Sequence, residues 1–198
     1  SLRLDADTRL VVEDGARFLL ERGAVYVDTG AERGVPVIVS TALGQVTDIG
    51  TQFEVRLGGG DESLTVQVRE GAVEVSAAGA THRAAAGARL ELHRDGSVAR
   101  SALAPTAASW AWVSEVAPFY QLDGRTLRQV LAWYHRETGR SADLDPTVEP
   151  EVLDDRLYGS AEGLAPDEVL ALALAGSGLE ARPDGDAVLV VPAGAAPR

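Results

Sequence analysis

The stretch Leu43–Ser76, LGQVTDIGTQFEVRLGGGDESLTVQVREGAVEVS, decides the fold, because apolar residues recur in it at every second position between glycine-marked turns. Phe53, Val55 and Leu57 point one way while Gln52, Glu54 and Arg56 point the other, and Leu64, Val66 and Val68 repeat the scheme against Thr65, Gln67 and Arg69. Glu70-Gly71 then reverses the chain into Val73 and Val75. The pattern is a ladder of half-buried strands, a scaffold that no nucleophile, metal cluster or phosphate loop interrupts.

The same reading extends through the first hundred residues. Strands are expected at 8–12, 16–20, 24–28, 35–40, 44–48, 52–57, 64–69, 72–76, 88–93 and 98–103, separated by turns such as Glu13-Asp14-Gly15, Arg22-Gly23 and Asp95-Gly96. Such spacing, without a helical period, predicts an all-β domain over 1–103, a many-stranded β-sandwich or solenoid-like fold. Residues 104–112 begin APTAAS and read as a linker. Beyond them the period changes. Leu127, Val130, Leu131 and Tyr134 form a helix face, with Asp123 as a cap and Gly139 as the stop. Pro166 opens a second helix, with Val169, Leu172, Ala173 and Gly176 on one face and an end near Gly176-Ser177-Gly178. Apolar segments at 119–122, 141–144, 156–159 and 179–182 flank the helices, and a last strand at 187–191 pairs with 179–182. The order is β-α-β twice, a small duplicated α+β domain over 113–192, followed by a flexible tail at 193–198.

Composition limits the function. The 198 residues carry a net charge of −12, which repels phosphate backbones and anionic membrane surfaces, so neither nucleic acid nor lipid is an expected direct partner. There is no Cys, and every basic residue is Arg, which excludes thiolate chemistry, a phosphate-loop lysine and a Schiff-base lysine. The chain has no Met either, so Ser1 is expected to follow a cleavage site or a cut in a longer chain, with any anchor or export signal upstream. His82, His93 and His135 lack ligand spacing, the acidic run from Asp143 to Asp155 lacks EF-hand punctuation, and Gly58-Gly59-Gly60 has no following Lys. No metal, cofactor or catalytic residue is expected. Six of the ten aromatics crowd into 25 residues: Trp110, Trp112, Phe119, Tyr120, Trp133 and Tyr134. Trp110 and Trp112 are expected to pack between domains, whereas Trp133 lies off the helix face set by Leu127, Val130 and Tyr134 and is the candidate for an exposed contact. The strand Arg156, Leu157, Tyr158 and Gly159, between the two β-α-β units, is the candidate partner-binding edge, unless both its sides are already paired.

The motifs LGQV, IGTQFEVR, LTVQVREGAVEV and AAAGARLEL, with SLRLDADTRLV and LERGAVYVDTG upstream, resemble the FecR periplasmic domain. The second domain, through PFYQLDGRTLRQVLAWYHRETGR, LYGS, LAPDEVLALALAGSGLEA and DAVLVV, is similar to the secretin and TonB short N-terminal (STN) domain that often follows it. The resemblance implies the periplasmic part of an inner-membrane regulator in a Gram-negative bacterium. Its partner would be the signalling domain of a TonB-dependent outer-membrane receptor. A sigma factor would be reached only through a cytoplasmic segment preceding Ser1, and the membrane only through an anchor in the same missing part. A cell-envelope structural module and a carbohydrate-active β-sandwich enzyme, which needs two carboxylates across a cleft, are the alternatives.

Overall fold

The computed structural model describes residues 1–30 and 35–195 and divides the chain into two units, Ser1–Val116 and Ala117–Arg198. The end of the tail expected at 193–198 lies outside the described residues.

In the first unit the strands follow one another as β1 (Leu2–Leu4), β2 (Arg9–Asp14), β3 (Arg17–Arg22), β4 (Ala24–Asp28), β5 (Ile38–Thr41) and β6 (Gly44–Asp48). They continue as β7 (Gln52–Leu57), β8 (Ser63–Glu70), β9 (Ala72–Ala77), β10 (Ala80–Ala85), β11 (Ala88–His93) and β12 (Val98–Ala102). One sheet has the order β1-β4-β7-β8-β11-β12 and the other β10-β9-β6-β5-β3-β2. From β5 onward the chain lays one hairpin in one sheet and the next in the other. Phe53, Val55, Val66, Val68 and Leu90 from the first sheet meet Leu20, Val39, Val46, Val73 and Val75 from the second in a single core. A core shared between two faces makes this a sandwich and not a solenoid.

The corners explain why the opening motif is written as it is. Ile49-Gly50-Thr51 carries the chain from β6 to β7, Glu70-Gly71 carries it back from β8 to β9, and the two corners lie against each other. A Cβ on Gly71 would stand 2.2 Å from the Gly50 carbonyl oxygen and 2.7 Å from Thr51 Cγ2, and its φ of +76° is left-handed. Thr51 donates its hydroxyl to Asp48 Oδ1, and the Gly50 N–H reaches the same oxygen at 2.7 Å. The corner is therefore tied to the strand before it. Replacing Gly71 by Ala combines left-handed strain with a backbone clash and is expected to cost on the order of 3 kcal/mol, read as a fall in the midpoint of urea unfolding.

Two strands escaped the sequence pattern. β1 is only three residues long, lies at an edge and buries Arg3 while exposing Leu2 and Leu4, and β10, ATHRAA, has only Ala84 buried and shows no apolar alternation. Residues 104–112, expected as a linker, instead pack within the first unit, where Ala108–Trp110 form a 3-10 turn leading into α1 (Ala111–Glu115).

The second unit holds α2 (Leu127–Thr138), β13 (Ala142–Leu144), a 3-10 turn at Pro150–Asp154, α3 (Pro166–Gly176), β14 (Leu179–Asp184) and β15 (Ala187–Pro192). Thr126, not Asp123, caps α2: its hydroxyl accepts from the Gln129 N–H while the Gln129 side chain accepts from the Thr126 N–H. Gly139 ends the helix at φ +74°. On α3 the buried residues are Val169, Leu170, Ala173 and Leu174, and Leu172 is exposed, a face rotated from the expected one. The three-stranded sheet runs β13-β15-β14, parallel at the first pairing and antiparallel at the second. Repeated β-α-β units are not formed: neither 119–122 nor 156–159 is a strand, and Arg156 makes only an isolated bridge to Thr126.

Candidate functional site

The outer face of the first sheet carries polar side chains that alternation assigns to solvent. Arg3, Tyr26, Glu54, Gln67 and Arg89 stand opposite one another across five adjacent strands, and the first four are buried. What covers them is the 104–116 segment. Trp110 sets its ring edge-on to Tyr26 at 6.2 Å, and the Arg69 guanidinium lies 5.0 Å from the Trp110 ring centre while its Nε donates to the Pro105 carbonyl at 2.9 Å. Ser109 Oγ donates to Gln67 Oε1 at 3.0 Å, and Arg3 donates to the Val113 carbonyl at 2.9 Å. Glu54, only 1% exposed, accepts from Trp112 Nε1 at 2.8 Å and from Arg56 Nε at 2.9 Å; Arg56 also meets Asp5 at 2.7 Å. Buried polar groups are tolerated when bonded, and here four of the five strands of the row, β1, β4, β7 and β8, each lend a group that holds the strap.

Trp110 and Trp112 thus serve the first unit, in place of the interdomain packing expected of them. Trp112→Phe leaves Glu54 one donor short in a buried place and is expected to destabilise by about 1–3 kcal/mol in chemical denaturation, with α1 the first part to lose its hydrogen-exchange protection.

The candidate partner residues are placed differently from the expectation. Leu157 is buried, donates its N–H to the Arg125 carbonyl and accepts from the Gly124 N–H, both at 2.8 Å, so the 156–159 segment is spent on the turn before α2. Arg156 donates to the Gly124 carbonyl at 2.8 Å, Gly159 is exposed, and Tyr158 is 75% exposed. As an edge for strand addition the segment fails, because the backbone of its central Leu157 is occupied. Trp133 is half-buried and stacks on Tyr120, ring centres 4.3 Å apart, so one face of the expected exposed contact is taken from within.

Titratable groups act structurally. Tyr134, at the heart of the second core, donates to Asp167 Oδ1 at 2.6 Å at the start of α3. Burial, with the Asp167 carboxylate, pushes its phenol up to about 12, and burial, helped by the Asp28 carboxylate, raises Tyr26 to about 12 against the pull of Arg69 and Arg3. Unfolded phenols ionise near pH 10. Between pH 10 and 12 the unfolded chain releases protons that the folded one keeps, so the stability present below pH 10 is lost across that window. The double variant Tyr26→Phe, Tyr134→Phe is expected to flatten this alkaline fall, measured as urea midpoint against pH.

Among the described residues no group of three His, Cys, Asp or Glu is placed to hold a metal ion. A cavity of about 760 Å³ in the first unit is lined by Phe18, Val27, Val37 and Ile49 together with Asp28 and Asp48. Both carboxylates serve the turns that follow them: Asp28 Oδ1 accepts from the Gly30 N–H and Asp48 Oδ1 from the Gly50 N–H. No helix among the described residues is long and apolar enough to cross a membrane.

The corners at Gly50 and Gly71, and the strands they join, fall in the part of the chain that known proteins share. Residues 1–74 match the FecR protein family. The matched stretch holds β1 to β8, the Gly71 corner and the start of β9. Two crystal structures of a proposed anti-sigma factor from Parabacteroides distasonis are similar to the whole chain. One is 20% identical, covering 96% of this chain and 85% of that one with a TM-score of 0.44; the other is 18% identical, covering 97% and 98% with a TM-score of 0.45. No curated protein matches.

Proposed function

We propose that this chain is the signal-receiving part of a FecR-like anti-sigma regulator, exposed to the periplasm, which binds the signalling domain of a TonB-dependent outer-membrane receptor. The FecR match over residues 1–74 is the observation that carries this reading. A receiver of this kind needs no bond-making step. Its output is a binding free energy that stabilises one arrangement of the chain over another, and a rigid sandwich joined to a smaller α+β unit supplies both a frame and a recognition module. In this reading the second unit is the STN-like module that meets the receptor, and sigma-factor control belongs to a segment outside these residues.

The test is titration of the purified chain with isolated receptor signalling domains, followed by calorimetry. Binding at micromolar affinity or tighter, retained by Ala117–Arg198 where that unit folds by itself, is the expected result; no heat with any of the receptor domains would remove the reading.

A further inference from the structure

In the second unit one edge of the sheet, β14, is blunted by a proline, and the other, β13, is not. The β14-β15 hairpin turns through Gly185-Asp186, so Asp184 and Ala187 form the closing pair and the even-numbered residues of β14 bond to β15; the Ala193 N–H to Gly178 carbonyl bond of 2.9 Å continues that series. Residues 179, 181 and 183 face outward, and Pro183 has no N–H to give, which blunts that edge. At β13 the ladder runs differently. The Val188 N–H donates to the Ser141 carbonyl at 2.9 Å and the Asp145 N–H to the Val190 carbonyl at 2.9 Å, so Ser141, Asp143 and Asp145 turn their backbone toward β15. The N–H and C=O of Ala142 and of Leu144 point the other way, with no hydrogen bond to any described residue.

We propose that this open edge of β13 is the receptor-docking strand, to which an extended segment of the partner adds as a fourth, antiparallel strand. The proposal rests on the partner-binding role above and says where and how it is met. Four backbone groups on alternate residues require an extended partner, since a helix keeps its own N–H and C=O groups engaged. The side chains set its chemistry. Ala142 and Leu144 lean, half-buried, on the second core, and Asp143 between them is exposed. A strand laid opposite would place apolar residues beside Ala142 and Leu144 and a basic residue beside Asp143. An apolar-basic-apolar segment also suits a chain of net charge −12.

Amide hydrogen exchange on the whole chain tests it, with three probes: a receptor signalling domain, the peptide acetyl-Thr-Val-Arg-Val-Thr-amide, and that peptide N-methylated at both Val residues. In the free chain Ala142 and Leu144 should exchange quickly while Asp143 and Asp145 are protected; equal protection of all four would overturn the proposal at once. Either unmodified probe should slow Ala142 and Leu144, and the methylated peptide should not. Ala142→Pro removes only an outward N–H and should abolish binding at unchanged melting temperature; should that variant not fold, the methylated peptide carries the same comparison. Receptor binding that is equal for wild type and Ala142→Pro, or that leaves both amides fast, rejects the edge and leaves the regulator reading standing. If no receptor domain binds, the regulator reading falls and the peptide decides: slowed Ala142 and Leu144 uphold the edge as a strand acceptor, and unchanged exchange rejects it. Protection that grows with chain concentration alone would show a second copy on the edge and would overturn the proposal of a receptor strand.

Discussion

A carboxylate taken out of water must be bonded on both oxygens, and Glu54 shows how this chain meets that demand. Its Oε1 is held by Arg56 from its own strand and its Oε2 by the indole of Trp112, 58 residues away. Neither partner alone would offset the desolvation of the charge, so the strap from 104 to 116 and the sheet beneath it stabilise one another. The row Arg3, Tyr26, Glu54 and Gln67 extends the same logic across four strands, each residue meeting the strap through an aromatic edge or a hydrogen bond. From β1 to β8 that sheet is thereby covered on both faces, one by the apolar core and the other by a polar and aromatic seam.

Much of the sandwich was legible because half of the determinant is local. Alternation places Phe53, Val55, Val66 and Val68 inward, and the 24–28, 44–48, 52–57 and 88–93 strands fall where the periodicity puts them. Alternation says only that Glu54, Gln67 and Arg69 share the other face; it cannot say whether water or a later part of the chain lies there. The linker reading failed for the same reason, since APTAAS is small and Pro-containing, and its anchors, Trp110 and Trp112, come after it. In the second unit helix ends were well signalled by Gly139 and Pro166, but an apolar tetrapeptide such as RLYG has no period of its own. Its Leu157 became a core residue whose backbone closes a turn, and the open edge arose instead at Ala142–Leu144, where only the register with β15 reveals which carbonyls are unspent.

The two units spend their polar groups differently. The first invests its polar groups inward: corners tied by Asp48 and Thr51, a face sealed by tryptophans, carboxylates committed to turns. The second has a small core under three strands, and its sheet keeps backbone hydrogen-bonding capacity along β13, the edge without a proline. Recognition by backbone is tolerant of sequence and graded by side chains.

The central claim is that the strap is an integral part of the sandwich, locked by its two indoles. Hydrogen exchange of the three tryptophan indole protons in the intact chain tests it most directly. Trp112, bonded to Glu54, and Trp110, bonded to the Ala104 carbonyl at 3.2 Å, should be strongly protected, while Trp133, whose indole makes no hydrogen bond to the described residues, serves as the fast reference. Exchange of Trp110 and Trp112 as rapid as that of Trp133 would contradict the account.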